Sequence, residues 1–126
     1  HGQFGQELLR TAQDIVGRQE GVMALSVTPE MGPDSVGNAL TAMIEQTKAE
    51  GYLIFVDMLG GTPCNTALLR TKQVAAEIVT GVNLYMILSS FTNRDKLDLH
   101  ALAVKVGEDG KRAIVLAKDL LKRSMS

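Results

Sequence analysis

Tyr52-Leu53-Ile54-Phe55-Val56-Asp57-Met58-Leu59-Gly60-Gly61-Thr62-Pro63-Cys64-Asn65 is an apolar run, rich in β-branched and aromatic residues, that ends in a carboxylate and passes into a glycine turn carrying a hydroxyl. Tyr52 to Asp57 reads as a buried strand, and Pro63 suits the first turn of a helix reaching about Lys72. Gly60 and Gly61 free the backbone to turn its amides outward, which makes the turn a candidate holder of an oxyanion. The same residues also fit a plain strand-to-helix turn with Asp57 as a cap, and the local sequence leaves both readings open.

Outward from this stretch, strands and helices alternate. Upstream, Phe4, Leu8, Leu9, Ala12, Ile15 and Val16 recur at helical spacing over Gly2 to Val16, and Val22 to Thr28 reads as a short strand. A second helix is expected from about Ser35 to Glu50, with Asp34 and Ser35 as caps and Gly51 as its end. Downstream, a strand is predicted over Ala76 to Thr80 and a helix over Leu84 to Phe91 with Asn83 as its cap. Asp95 is read as the start of a helix through Val106, Gly107 to Gly110 as a turn, and Ala113 to Ala117 as a last strand before the basic tail Lys118 to Ser126. This is the pattern of βαβ units: an α/β, doubly wound, mostly parallel sheet, whose ligands bind beyond the carboxyl ends of the strands. Asp57 and the glycine turn occupy such an end.

Composition narrows the function. The 126 residues fit one domain, and 45% apolar content is ordinary for a globular chain. A net charge of −1, with both signs mixed along the chain, gives no footprint for nucleic acid. The apolar runs are of strand length, well short of the ~20 residues that span a bilayer, and no leader is apparent, so the chain is expected to be cytoplasmic. Cys64 is the only cysteine and His1 and His100 the only imidazoles, so no disulfide, metal or cofactor is expected. Cys64 is read as core filling, as are the scattered methionines; His100, among Leu97, Leu99, Leu102 and Ala103, is read as partly packed and without a partner.

Three segments carry a family resemblance: His1-Gly2 ahead of a helix, Val56 to Asn65, and Thr80-Gly81-Val82-Asn83-Leu84 after the next strand. In that order and spacing they resemble the IIA domain of mannose-family bacterial phosphotransferase systems, over essentially the whole chain, 1–126 as a single phosphocarrier domain. The resemblance implies a flavodoxin-like strand order 2-1-3-4 and a homodimer that exchanges a last antiparallel strand, here about Arg112 to Lys118. It also implies a strand running into the histidine, so a central strand is expected ahead of His1. A terminal histidine judged alone also fits a tag remnant; the other motifs argue against that.

By resemblance, His1 is the phosphorylated histidine, attacking through Nε2, with Asp57 holding Nδ1 and Thr62 binding the phosphoryl oxygens. Histidine suits this role, because its unperturbed pKa of about 6.5 leaves much of the ring neutral, and a carboxylate on one nitrogen turns the other outward as nucleophile. The amides of Gly60, Gly61 and Thr62 and the following helix end are expected to surround the oxygens, while Gly81 and Asn83 are read as capping rather than phosphate-binding residues. The Asp57 charge would also keep the phosphohistidine from becoming too stable. Met58 and Leu59 are candidate docking contacts. The implied partners are phosphorylated HPr, a IIB protein or domain and, only through a permease complex, the membrane. A phosphorylation-state sensor and the phosphoryl donor subunit of a dihydroxyacetone kinase are the alternatives on the same fold.

Overall fold

The computed structural model describes residues 1–125, so Ser126 of the basic tail lies outside the described residues. Strand β1, Tyr52–Phe55, pairs in parallel with β2, Ala76–Val79, in the register Tyr52 to Ala76 through Phe55 to Val79. The connection between them is α3, Thr62–Arg70, the crossover that a parallel pair requires. Before β1 come α1, Phe4–Val16, and α2, Pro33–Thr47; after β2 come α4, Leu84–Asn93, α5, Leu99–Arg112, and α6, Ala117–Met125. The helices α4 and α5 pack on each other, and α5 lies against both strands. Met86, Leu102 and Val106 form a buried cluster, with Leu53, Phe55 and Val79 packed onto it from the sheet. No helix among the described residues is long and apolar enough to cross a membrane.

Polar side chains lock these helices together. Asn83 accepts from the Met86 amide (3.0 Å), capping α4, while its own amide donates to Gly110 O on α5 (3.1 Å). Ser89 donates to Asp109 Oδ2 (2.6 Å), and that bond, with the Lys105 ammonium, holds the Asp109 carboxyl below its ordinary range. On the other side, Arg70 lies across α2, donating to Asn38 Oδ1 (3.2 Å) and Thr41 Oγ1 (3.3 Å). Gly37 leaves room for it, since a Cβ there would stand 2.5 Å from Arg70 Nε.

Several sequence expectations need correction. Gly107 to Gly110 is not a turn but part of α5: glycine reads as punctuation, yet Gly110 serves packing, because a Cβ there would come within 2.5 Å of Met86 Cγ. α5 also starts later than expected, with Asp98 rather than Asp95 as the cap, accepting from the Ala101 amide (2.9 Å). Val22 to Thr28 forms no strand. It is tied by an isolated antiparallel bridge between Gly2 and Val27 and by Ser26 Oγ donating to Gln3 Oε1 (3.2 Å), and a cavity of about 920 Å³ whose walls include Val22, Leu25, Leu53 and Phe55 separates it from β1. Tyr52 N and Val56 N bond to the β2 side, so the alternation of the ladder turns the Leu53 and Phe55 amides toward that cavity.

Likewise, Ala113 to Ala117 carries no strand in the isolated chain. Residues 113–116 have no regular structure, and most of the expected tail coils into α6. A β-branched pair favours a strand only where an edge is present to bond it. Here Ile114, Val115 and Leu116 instead stand exposed. The sheet of the described residues is therefore two-stranded, order β1-β2.

Candidate functional site

Strand β1 delivers the site. Val56, buried, donates its amide to Val79 O (3.0 Å) and accepts from the Val82 amide (3.2 Å), so the end of β1 is tied both to β2 and to the Gly81 turn. The next residue, Asp57, leaves the sheet there. From Gly60 the chain reverses into α3, with Gly60 at φ +84 and its carbonyl accepting from Asn65 Nδ2 (3.1 Å). Gly61 precedes α3 at φ −79 and ψ 170, and no side chain caps this helix end. Its first amides are thus open to an oxyanion, and the partial positive charge of the helix end is not offset.

His1 reaches this place from the far end of the sequence. Gly2, at φ +60, donates to Val27 O (2.7 Å), which fixes the chain as it enters α1. The ring then lies with Nδ1 2.8 Å from Asp57 Oδ2, and the main-chain nitrogen of His1 donates to the same oxygen at 2.8 Å. Both bonds fall on Oδ2; Oδ1 is buried and has no partner among the described residues. With the carboxylate ionised, the Nδ1 contact requires that nitrogen to donate, which leaves Nε2 of a neutral ring with its lone pair free. Nε2 faces the glycine turn, since a Cβ on Gly61 would stand 3.4 Å from it.

The structure thus brings His1, Asp57 and Gly61 together. Thr62 opens α3 one residue further on, and no hydrogen bond joins it to His1. Met58 and Leu59 project from the same turn, exposed by 54% and 74%. Cys64 is buried, as expected of core filling. Asn83 is spent on capping, also as expected. His100 differs from expectation: it is exposed and has a partner, with Nδ1 2.9 Å from Glu77 Oε1. That hydrogen bond, and then the Glu77 charge, raise its titration above the ordinary histidine value. Two positioning contacts lay outside the sequence reading, Asn65 on Gly60 and Val27 on Gly2. Asn65 stands in the turn's own sequence, three residues past Thr62, but only the turn's geometry reveals what its amide holds. Among the described residues no group of three or more His, Cys, Asp or Glu side chains is placed to hold a metal ion.

Against known proteins, residues 1–106 match the family model described as EIIA-man, PTS system fructose IIA component. Over 122 residues the chain is 33% identical to the PTS system mannose-specific EIIAB component of Escherichia coli (strain K12), covering 90% of this chain and 37% of that protein. It is 28% identical over 103 residues to the PTS system sorbose-specific EIIA component of Lacticaseibacillus casei, covering 81% and 75% of the two chains. Two solved structures share the fold. Phosphotransferase system component EIIA from Streptococcus agalactiae superposes with a TM-score of 0.87 at 25% identity, covering 94% of this chain and 93% of that one. The mannose/sorbose specific IIA subunit from Enterococcus faecalis gives a TM-score of 0.84 at 27% identity, with coverage of 92% and 88%. The chain spans little more than a third of the length of the mannose-specific relative.

Proposed function

Because the chain belongs to the mannose-family IIA components of the sugar phosphotransferase system, we propose that it is a cytoplasmic histidine phosphocarrier, taking a phosphoryl group from phosphorylated HPr and passing it to a IIB protein or domain. The observation that carries this reading is the His1 Nδ1 to Asp57 Oδ2 contact of 2.8 Å with Nε2 beside the glycine turn.

In the proposed step the Nε2 lone pair attacks the phosphorus of the incoming phosphohistidine. A new N–P bond forms as the donor's N–P bond breaks, and its electron pair returns to the donor ring. The Nδ1 proton stays in the Asp57 hydrogen bond, whose negative partner offsets the positive charge that the ring gains on attack. The amides of Gly60, Gly61 and Thr62 and the Thr62 hydroxyl receive the equatorial oxygens at the end of α3, where alignment and donors are what phosphoryl transfer asks of a protein. Met58 and Leu59, exposed beside the nucleophile, serve as apolar docking contacts for the donor and acceptor proteins. No metal is invoked, because the transfer runs directly between two rings.

The same reading treats residues 1–126 as one phosphocarrier domain and extends to its assembly. In a doubly wound order 2-1-3-4, Val22 to Thr28 and β1 flank a central strand, and the apolar cavity between them supports that arrangement. Arg112 to Lys118 becomes the last, antiparallel strand on a partner's sheet in a homodimer; the exposure of Ile114 (80%) and Leu116 (75%) supports it. The test of function is direct: incubated with phosphorylated HPr, the protein takes up an acid-labile phosphate and hands it to a IIB protein. Uptake that persists in His1→Ala, or no uptake at all, contradicts the reading.

A further inference from the structure

The two adjacent glycines of the turn call for glycine on different grounds. Gly60 has φ +84, where a side chain is strained, and a Cβ there would meet nothing within 4 Å. Gly61 has φ −79 and ψ 170, extended backbone open to any residue, so its conformation gives no reason for glycine. Its surroundings do. A Cβ on Gly61 would stand 2.9 Å from His1 Cε1, 3.4 Å from His1 Nε2 and 3.6 Å from Met58 Cγ. Carbon pairs attract best at about 3.5–4.0 Å, so the first of these contacts is repulsive.

The ring is half exposed, but its Nδ1 edge is anchored. Asp57 Oδ2 holds Nδ1 and the His1 main-chain nitrogen, each at 2.8 Å, and neighbouring Gly2 is bonded to Val27 at 2.7 Å. A methyl group pressing on Cε1 would turn the ring about that anchored edge and displace Nε2, the atom farthest from the anchor. It would also occupy space beside Nε2 where an oxygen of the incoming group must pass.

We infer that Gly61 is a positioning residue: its bare Cα seats the His1 imidazole and keeps the flank of Nε2 open. The inference rests on the reading of Nε2 as phosphoryl acceptor, and it gives Gly61 a steric duty separate from the anion-binding duty of its amide. The duty is specific to the residue, since Gly60 one position earlier is needed for its backbone alone.

The test is a double-mutant cycle in the full chain, read by thermal stability and by the His1 tautomer in ¹⁵N NMR. Gly61→Ala is expected to lower Tm by on the order of 5 °C when His1 is present. In the His1→Ala background, where the clashing ring is gone, the same substitution should cost little. The tautomer with the proton on Nδ1, single in the parent, should become mixed in Gly61→Ala, and transfer from phosphorylated HPr should slow on the order of 100-fold. An equal Tm loss in both backgrounds, misfolding in both, or an unchanged Tm and tautomer overturns the inference. If the coupling appears but the parent accepts no phosphoryl group, the seat stands and the phosphocarrier reading fails.

Discussion

The molecule holds two imidazole–carboxylate pairs of nearly equal length, His1–Asp57 at 2.8 Å and His100–Glu77 at 2.9 Å. Both use Nδ1, yet their settings differ. Asp57 keeps 20% of its side chain exposed, lies at the carboxyl end of β1, and takes a second bond from the His1 main chain. Around it stand a glycine turn and an uncapped helix end. His100 is 78% exposed in the first turn of α5, a helix end already capped by Asp98, and Glu77 sits on β2. The comparison teaches that a histidine–carboxylate pair fixes a tautomer but makes no site; a site also needs open donors where charge collects and a rigid seat for the ring.

The largest effect separates the two histidines. His1→Ala should abolish phosphoryl uptake from phosphorylated HPr, while His100→Ala should leave its rate unchanged; labelled-phosphate assays on both variants decide it. Next, Asp57→Asn should slow transfer on the order of 100-fold, because an amide can offer its oxygen or its nitrogen to Nδ1 and no longer stabilises the charge that the ring acquires. Single-turnover kinetics measure this, and an unchanged rate and transfer equilibrium would show the carboxylate to be a bystander, like Glu77.

A change in the shared scaffold should touch stability rather than the pairing. Asn83→Ala removes the α4 cap and the bond to Gly110 O, and should cost about 0.5–2 kcal/mol in denaturant unfolding while the His1 tautomer stays as it was. The smallest effect is expected at the exposed pair. Since Glu77 raises the His100 titration, its stabilising contribution is present in full below the ordinary histidine value and fades as pH rises through the raised folded value. Glu77→Gln should bring the His100 midpoint, followed by proton NMR, back toward that ordinary value with little change in Tm at pH 8.

The same contrast shows what was legible in the sequence. β1, the glycine turn, α3 and the Asn83 cap are set by residues close in the chain, so local pattern sufficed. Val22 to Thr28 and Ala113 to Ala117 carry strand patterns too, but a strand exists only beside an edge that bonds it, and neither segment has one in the isolated chain. Gly110 was misread because packing against Met86, a tertiary matter, decides its place in α5. Within the site, the meeting of His1 with Asp57 was foreseeable through family resemblance, as their chemistry alone does not bring together residues 56 positions apart. The His100–Glu77 contact escaped because pairing across 23 positions leaves no local mark. The steric ground for Gly61 escaped because glycine first suggests a turn.

In the proposed function Asp57 holds Nδ1 and thereby makes Nε2 of His1 the acceptor. The most direct measurement is ¹H–¹⁵N NMR of the ¹⁵N-histidine-labelled full chain after reaction with phosphorylated HPr, which distinguishes phosphate on either nitrogen of either histidine. Phosphate on His1 Nε2, with His100 unmodified, is the predicted result; phosphate on His1 Nδ1 or on His100 would contradict it.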